Sequence, residues 1–251
     1  MKATVIFKPL EYSIEAVGEK WHQGDLLKGT LKIKNHSAER IELPLLKVAV
    51  CEGHYKKIKA KDAKGWKCIS ENVLAENLTI NPSEEKDYSF EFKLAETCAI
   101  TDKTGSLYLA FFDKDEAIPA GNIELVIAPK IIVKQILEIF ENFLRFKVKE
   151  TKSGKGMVEI KLVPPTSREL SNVDGLLLSI SEVDKNLTLK YFFNFRILNI
   201  AGATMQSEKA TKEVEQNFTS KQYLIYGDSI NQDFIIQSVQ EVLNGVKTKM
   251  L

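Results

Sequence analysis

IELVIAPKIIVKQILEIFENFL, residues 123–144, changes its hydrophobic period at a single proline. Apolar residues alternate up to Pro129, as in a half-buried strand, and from Ile131 onward they recur at helical spacing. A proline just before a helix suits the first turn, because its fixed φ is helical and no N–H is lost there. The segment predicts a strand, a stop and an amphipathic helix, whose wide apolar stripe we expect to be clamped between other elements.

Short stretches of alternating apolar and polar residues lie on both sides of this segment. Leu27, Leu31 and Ile33 alternate with polar residues, which is typical of a strand with one buried face. Residues 107–112 are apolar on both faces, which predicts a central strand. Strands are predicted at residues 4–7, 12–17, 27–33, 41–50, 78–80, 88–94 and 107–112, and again at 146–148, 158–162, 176–180, 187–195 and 223–226.

Two further segments precede the C-terminus. Residues 201–219 are polar and weakly patterned and predict a surface excursion. Residues 229–246 predict a second amphipathic helix, in which Ser229 and Gln232 form a capping-box pair and Asn244 and Gly245 end the helix. We expect this helix to dock on its own sandwich; the alternative is that it pairs with a partner or with a second copy of the chain.

The chain of 251 residues is long enough for two domains that each bury a core. Because strands dominate both halves, we predict an all-β fold of two tandem β-sandwiches, each of about seven strands. The first covers residues 1–128, a connecting helix covers 129–145, and the second covers 146–251 and includes the terminal helix.

Composition and charge narrow the classes of function. Hydrophobic residues make up 44% and charged residues 27%, the balance of an ordinary globular protein. The net charge of +1 creates no global attraction to nucleic acid, so we do not expect nucleic acid as a partner. No apolar run is long enough to span a membrane. The three cysteines, odd in number and widely spaced, favour a reducing cytosol over a disulfide scaffold, so we expect a cytoplasmic protein.

A lysine-rich segment between residues 52 and 67 forms the candidate partner-binding site. Asp62 is the one acid within the lysine run, and Tyr55 and Trp66 flank it. The segment could bind an anionic partner, including a peripheral membrane surface, or it could be a solvated hairpin whose lysines protect a sheet edge from pairing. The candidate residues are Tyr55, Lys56, Lys57, Lys59, Lys61, Lys64, Trp66 and Lys67, together with Phe192, an aromatic on the polar face of the strand 187–195.

Motifs that would indicate catalysis or a cofactor are missing from the sequence. His22, His36 and His54 lie in the first quarter without ligand spacing, and there is no nucleophile elbow, dinucleotide fingerprint or phosphate loop. We therefore expect no enzyme, no cofactor and no metal site. We expect instead a protein that binds other proteins, by adding a peptide strand at a sheet edge or by docking on a sheet face.

Several stretches carry a resemblance to a known family. GDLLKGTLKIKN at residues 24–35, NPSEEKDYSFEFKL at 81–94 and the strand at 107–112 resemble the N-terminal domain of arrestin-like proteins. The strand–proline–helix segment, MVEIKLVPP at 157–165 and LSNVDGLLLSI at 170–180 resemble the bacterial sporulation-control protein family. That family joins two arrestin-like, immunoglobulin-like sandwiches through an interdomain helix.

The resemblance implies a non-enzymatic, cytoplasmic regulatory or scaffold protein that binds other proteins. The alternative is a carbohydrate- or small-ligand-binding sandwich, an accessory protein that would use Tyr55, Trp66 and Phe192 as exposed aromatics. The partner and the oligomeric state do not follow from these residues.

Overall fold

The computed structural model describes residues 1–201, 204–227 and 229–246, and for residues 197–201 and 204–208 it describes the backbone alone. Strands account for 55% of the chain and helices for 16%, which confirms a mostly β fold. The chain divides into two compact units, Met1–Ala128 and Pro129–Leu251, and the helix after Pro129 belongs to the second.

The first unit is built from two four-stranded antiparallel sheets. The strands are β1 Lys2–Phe7, β2 Leu10–Ala16, β3 Trp21–His22, β4 Leu26–Asn35, β5 Ile41–His54, β6 Trp66–Ile80, β7 Glu85–Lys93, β8 Gly105–Phe112, β9 Gly121–Leu125 and β10 Ile127–Ala128, and the short helix α1 Tyr55–Lys59 lies between β5 and β6. The strand orders of the two sheets are β1-β2-β4-β7 and β6-β5-β8-β9, and β3 and β10 add a short parallel pair.

Alternation along the strands places one face of each sheet in a shared core. In β4, Leu27, Leu31 and Ile33 have no exposed surface, as predicted. The two sheets meet where the Tyr12 ring of β2 stacks on the Phe111 ring of β8, with 4.9 Å between centroids. The first unit is therefore a β-sandwich, with its core between the two sheets.

The second unit differs from the predicted second sandwich. Its described strands form one antiparallel sheet in chain order, so a second facing sheet is not present among them. The elements of this unit are α2 Ile131–Asn142, β11 Lys147–Gly154, β12 Met157–Val163, β13 Val173–Val183, β14 Asn186–Ala201, β15 Thr204–Thr219, α3 Ser220–Tyr223 and α4 Gln232–Asn244. Helices lie against the sheet instead of a second sheet: α2 contacts β11 and β13, α3 contacts β14 and β15, and α4 contacts both other helices. The apolar face of a strand can be buried by helices as well as by a second sheet. The alternating pattern of the strands alone therefore could not distinguish these two architectures.

The wide stripe of α2 is explained by its contacts on two sides, with the sheet and with α4. A partly buried cluster of polar side chains joins the start of α2 to the sheet and to α3. The Lys130 ammonium lies 2.9 Å from Glu182 Oε2, and the Tyr223 hydroxyl donates to Glu182 Oε1 at 3.0 Å. The segment before α2, the end of β13 and α3 are thereby linked in a partly desolvated cluster, in which loss of one partner is costly.

Besides the two-residue β3, the sequence did not predict β15 or most of β6, and these two long strands each lie at an edge of a sheet. Residues 66–77 form most of β6, and residues 204–219, predicted as a surface excursion, form β15 paired along its length with β14. An edge strand with little buried surface shows little hydrophobic alternation, which removes the signal on which the prediction depended.

Local predictions near the C-terminus were partly wrong. The predicted strand 223–226 gives way to the end of α3 and an isolated bridge between Leu224 and Ile230. The side chain that caps α4 is Asn231, which accepts from the Phe234 N–H at 3.2 Å, rather than Ser229. The predicted end of the helix at Asn244 is confirmed.

Gly29 provides a test of the sandwich core. A Cβ at this position would lie 2.2 Å from the Glu15 carbonyl oxygen and 2.5 Å from the Phe90 ring. Gly29→Ala should lower the free energy of unfolding by about 1–3 kcal/mol, because the neighbours are backbone and a packed ring. Urea unfolding followed by tryptophan fluorescence measures it, since Trp21 and Trp66 both lie in the first unit.

The matched control is Gly175→Ala in β13, where the nearest atom to a new Cβ is the Leu162 carbonyl oxygen at 3.7 Å. Its unfolding midpoint, followed by circular dichroism, should stay close to that of the parent. An unchanged midpoint for Gly29→Ala would contradict the packing described for β4.

Candidate functional site

The lysine-rich segment forms an ordered connection, here called the lysine hairpin, residues 55–67. After β5 ends at His54, helix α1 (Tyr55–Lys59) leads through a turn at Lys61, whose φ is 55°, into a 3₁₀ turn at Ala63–Gly65. The Asp62 side chain accepts from the Lys64 N–H at 2.9 Å and so caps this turn. Below it, β5 and β6 pair directly. The one acid of the segment therefore has a local structural role.

Two aromatic residues anchor the hairpin at its ends. The Tyr55 hydroxyl donates to Glu124 Oε1 of β9 at 2.6 Å. The Trp66 ring meets the Tyr108 ring of β8 edge-on, with 5.1 Å between centroids. Both side chains are partly buried. Tyr55 and Trp66 thus hold the hairpin onto the sheet and do not form an open platform for a ligand.

The phenols around Glu124 are held in their protonated form. Burial, followed by the hydrogen bond to Glu124, raises the pKa of Tyr55 far above its usual range. Burial and the charge of Glu124 likewise raise the pKa of Tyr108 to about 12. At neutral pH both hydroxyls therefore remain donors toward Glu124, and the anchor has no titration step in the physiological range.

A disulfide joins the two strands beneath the hairpin. Cys51 of β5 and Cys68 of β6 are direct cross-strand partners, with their Cα atoms 3.9 Å apart. Cys51 has no exposed surface and packs with Ala49, Ala110 and Phe112, while Cys68 and Trp66 are partly buried against this group. The odd number and wide spacing of the cysteines predicted no disulfide scaffold, but one disulfide is present, because antiparallel pairing brings residues 17 positions apart face to face.

The third cysteine is a different case. Cys98 is free and buried. Burial raises the pKa of its thiol to about 11, so it is neither ionised at neutral pH nor accessible.

Five lysines of the hairpin are exposed and have no ion-pair partner among the described residues. They are Lys56, Lys57, Lys59, Lys61 and Lys64. The sixth lysine, Lys67, pairs with Glu52 at 3.0 Å. The hairpin therefore presents a local positive patch on a protein whose net charge is only +1.

The loop before β8 lies beside the hairpin, and it carries an acid, Asp102, and a lysine, Lys103, that the prediction did not include. The Tyr55 backbone N–H donates to the Thr104 carbonyl oxygen at 3.0 Å, which places the loop before β8 beside the hairpin. Lys103 in that loop is exposed. A loop contact between residues 55 and 104 has no signature in the sequence, so only the structure could add Lys103.

The edge strand that follows the hairpin is open. Among the described strands, β6 pairs with β5 alone. Ile69 and Val73 on β6 are 40% and 50% exposed. After Lys67, residues 68–77 of β6 contain neither a lysine nor a proline, the residues that commonly protect an edge. The lysines thus do not protect the edge along its length, because they are confined to the hairpin at one end.

Phe192 lies apart from these residues, on β14 of the second unit. Its cross-strand neighbours are Leu177 and Glu213, and its ring is partly buried. An ion pair between Lys190 and Glu215 at 2.8 Å lies one register step away on the same face. Phe192 is therefore best explained as part of this mixed sheet surface, packed beside Leu177.

Within residues 1–201, 204–227 and 229–246, no group of three or more His, Cys, Asp or Glu side chains is placed to hold a metal ion. In the same part of the chain, no helix has the length and apolar character needed to cross a membrane.

The described residues define a mostly β protein in which a sandwich unit is followed by a sheet covered by helices. Among solved structures, the chain is similar to Spo0M, a sporulation control protein from Bacillus subtilis, with 13% sequence identity, 96% of this chain and 100% of that chain covered, and a TM-score of 0.67. This likeness shows a shared fold.

Two other likenesses to solved structures are weak and cover only part of each chain. One is to the alkylpurine DNA glycosylase AlkC of Pseudomonas fluorescens, with 9% identity, 47% and 30% of the two chains covered and a TM-score of 0.33. Another is to a beta-glucosidase from Listeria innocua, with 13% identity, 47% and 16% covered and a TM-score of 0.29. No protein-family model and no curated protein matches the sequence.

The cysteine assignment can be tested by counting thiols. The native protein at about pH 8 should take up no alkylating label at Cys98, because the thiol is buried and protonated. In denaturant without reductant one thiol should react, and after reduction all three should react. Mass spectrometry measures the number of labels, and three reactive thiols in denatured protein that had first been equilibrated with an oxidant would contradict the disulfide.

Proposed function

We propose that this chain is a non-enzymatic regulatory protein that binds an acidic segment of another protein through the lysine hairpin. The observation that carries the proposal is the set of five exposed lysines without ion-pair partners among the described residues, on a hairpin anchored by Tyr55 and Trp66. The fold shared with a sporulation control protein supports a regulatory role. We extend the proposal to a cytoplasmic location.

The charges of the hairpin favour a partner rather than internal stability. An exposed ion pair contributes only about 0.2–1 kcal/mol, so one or two contacts would bind weakly. Five lysines on one short connection can act together on a segment with several carboxylates. Because the backbone of the hairpin is already ordered, binding costs mainly the freedom of the lysine side chains. The attraction should weaken with salt, since the Debye length is only about 8 Å at physiological ionic strength.

The β6 edge gives the partner segment a conformation. Trp66 ends the hairpin and begins β6, so the lysines lie at one end of an open strand edge. An extended peptide could add to this edge by backbone hydrogen bonds, place apolar residues near Ile69 and Val73, and direct its carboxylates to the lysines.

Two other classes of ligand are supported less well. Stacking of nucleic-acid bases or sugar rings requires exposed aromatic faces, and Tyr55 and Trp66 are engaged with Glu124 and Tyr108. Catalysis requires an activated group, whereas burial holds Cys98 and Tyr108 in their protonated forms. A binding role for the hairpin accounts for the charges without either chemistry.

Charge reversal tests the hairpin. The variant carrying Lys56→Glu, Lys57→Glu and Lys59→Glu should bind a fluorescent peptide of alternating glutamate and valine at least about tenfold more weakly than the parent, because three attractions become repulsions. Fluorescence anisotropy at two salt concentrations measures the affinity. The melting temperature should be unchanged, since these side chains contact nothing that the fold needs.

The matched control reverses three exposed lysines of the second unit, Lys147→Glu, Lys149→Glu and Lys221→Glu, which changes the net charge equally. Its affinity should stay near that of the parent. Equal losses in both variants would assign the binding to net charge, and no loss in the hairpin variant would exclude the hairpin. Binding to anionic vesicles but not to the peptide would point to a membrane partner instead.

A second variant separates strand addition from simple charge attraction. Ile69→Lys with Val73→Lys places two lysines on the open edge of β6, where exposed residues are replaced at little cost in stability. Edge lysines hinder strand pairing, so binding should weaken although the positive charge has increased. The same anisotropy titration measures it, and tighter binding would show that the peptide docks through charge alone.

A further inference from the structure

We propose that Cys51 and Cys68 form a reversible thiol–disulfide pair that controls the order of the lysine hairpin. A second part, that oxidation thereby raises affinity for an acidic partner, rests on the proposed function. The first part concerns the hairpin alone and stands independently.

The loop that the disulfide closes consists of the lysine hairpin and the three residues before it. Residues 52–67, which contain the whole hairpin, lie between the two cysteines. Opening the bond therefore releases one short loop, while the remaining pairs of the β5–β6 ladder still hold the sheet. A crosslink at this place restricts the open conformations of the hairpin in particular.

The bond lies where the ladder is irregular. Cys51 pairs with Cys68, but the next pair toward the core of the sheet is Val50 with Ser70, so Ile69 is an extra residue at a bulge. On the hairpin side only two further pairs of β5 with β6 follow, ending at Gly53 and Trp66, while β5 itself stays paired with β8 up to His54. A bulge disrupts the ladder locally, so the start of β6, which pairs with β5 alone, depends on the covalent bond more than β5 does.

Exposure determines which sulfur a reductant reaches. Cys51 is fully buried, whereas Cys68 is partly exposed. A small anionic thiol such as glutathione would attack Cys68 Sγ as its thiolate, which breaks the S–S bond and releases Cys51 as a thiolate that takes up a proton. A second glutathione thiolate attacks the glutathione sulfur of the mixed disulfide, releases Cys68 as a thiolate that is then protonated, and yields oxidised glutathione. Two electrons pass from two thiols to the protein disulfide.

The surroundings favour this exchange and its reversal. Lys67 adjoins Cys68 in sequence, and the hairpin lysines raise the local concentration of an anionic thiol. After reduction the ladder on the sheet side of the bulge, from Val50 and Ser70 onward, still holds β5 and β6 together, so the two thiols stay close enough for reoxidation. In a reducing compartment, disulfides of this kind are usually transient and regulatory rather than structural.

Binding and oxidation are then linked. If a partner requires the ordered hairpin, oxidation raises its affinity by some factor, and the bound partner shifts the thiol–disulfide equilibrium toward the disulfide by the same factor. The hairpin would bind its partner most tightly under oxidising conditions.

The test uses the full chain with Cys98→Ser, which removes the third thiol. The protein is equilibrated in glutathione buffers of graded ratio, quenched with acid, alkylated and weighed to give the oxidised fraction. Samples taken before quenching are treated briefly with trypsin, which cleaves after the hairpin lysines. We expect full reduction of the folded protein within the glutathione series, and at least about tenfold faster cleavage at Lys56, Lys57 and Lys59 in the reduced form.

The double variant Cys51→Ala/Cys68→Ala provides a permanently open hairpin and should be cleaved like the reduced protein. Tryptophan fluorescence verifies that the first unit remains folded, and should the variant fail to fold, the reduced parent gives the same comparison. Equal cleavage of oxidised and reduced protein would overturn the proposal, as would a disulfide that glutathione reduces only after unfolding.

A binding arm with the glutamate–valine peptide distinguishes the two parts. Tighter binding to the oxidised form supports both. If cleavage depends on the redox state but the peptide binds neither form, the redox control stands and the proposed function fails. Equal binding to both forms, despite different cleavage, would overturn the control of affinity.

Discussion

The first unit depends on a constraint in its second sheet, where the central strands are apolar on both faces. All residues of β8 after Gly105 are buried, and so are Val48, Ala49, Val50 and Cys51 of β5. One face of these strands lies in the sandwich core, so the other face must be covered as well. Trp66 and Cys68 pack on that outer group, and the Lys47 ammonium lies 4.9 Å from the centroid of the Phe112 ring. The lysine hairpin begins and ends at residues that meet this requirement.

This origin explains why the hairpin is ordered although its own side chains are mostly exposed. Contacts at its two ends, through Tyr55 to Glu124 and through Trp66 to Tyr108, act together with the bond between Cys51 and Cys68, while the lysines between them remain in water. Some lysines elsewhere on the first unit are paired, as Lys32 is with Glu85 and Asp87 at 3.3 Å. The hairpin differs from them in holding five exposed lysines together on one short, ordered connection.

The two units satisfy the same strand pattern in different ways. In the first, aromatic stacking between Tyr12 and Phe111 joins two sheets. In the second, α2, α3 and α4 lie against one sheet, and the Lys130, Glu182 and Tyr223 group ties the helices to it. Whether a sheet or a set of helices buries the apolar face depends on which segments are close in space. The pattern of a single strand therefore cannot predict it.

The sequence by itself determined the features that leave a local periodic record. These are the half-buried strands such as β4, the central position of β8, the helix from Ile131 with its wide apolar stripe, and the identity of the lysine cluster. Tertiary structure decided the rest. The edge strands β6 and β15 were missed because a strand with little buried surface shows little alternation. The disulfide between Cys51 and Cys68, the anchoring of Tyr55 on Glu124 and the approach of Lys103 each join residues far apart in sequence, and only the pairing of strands brings them together.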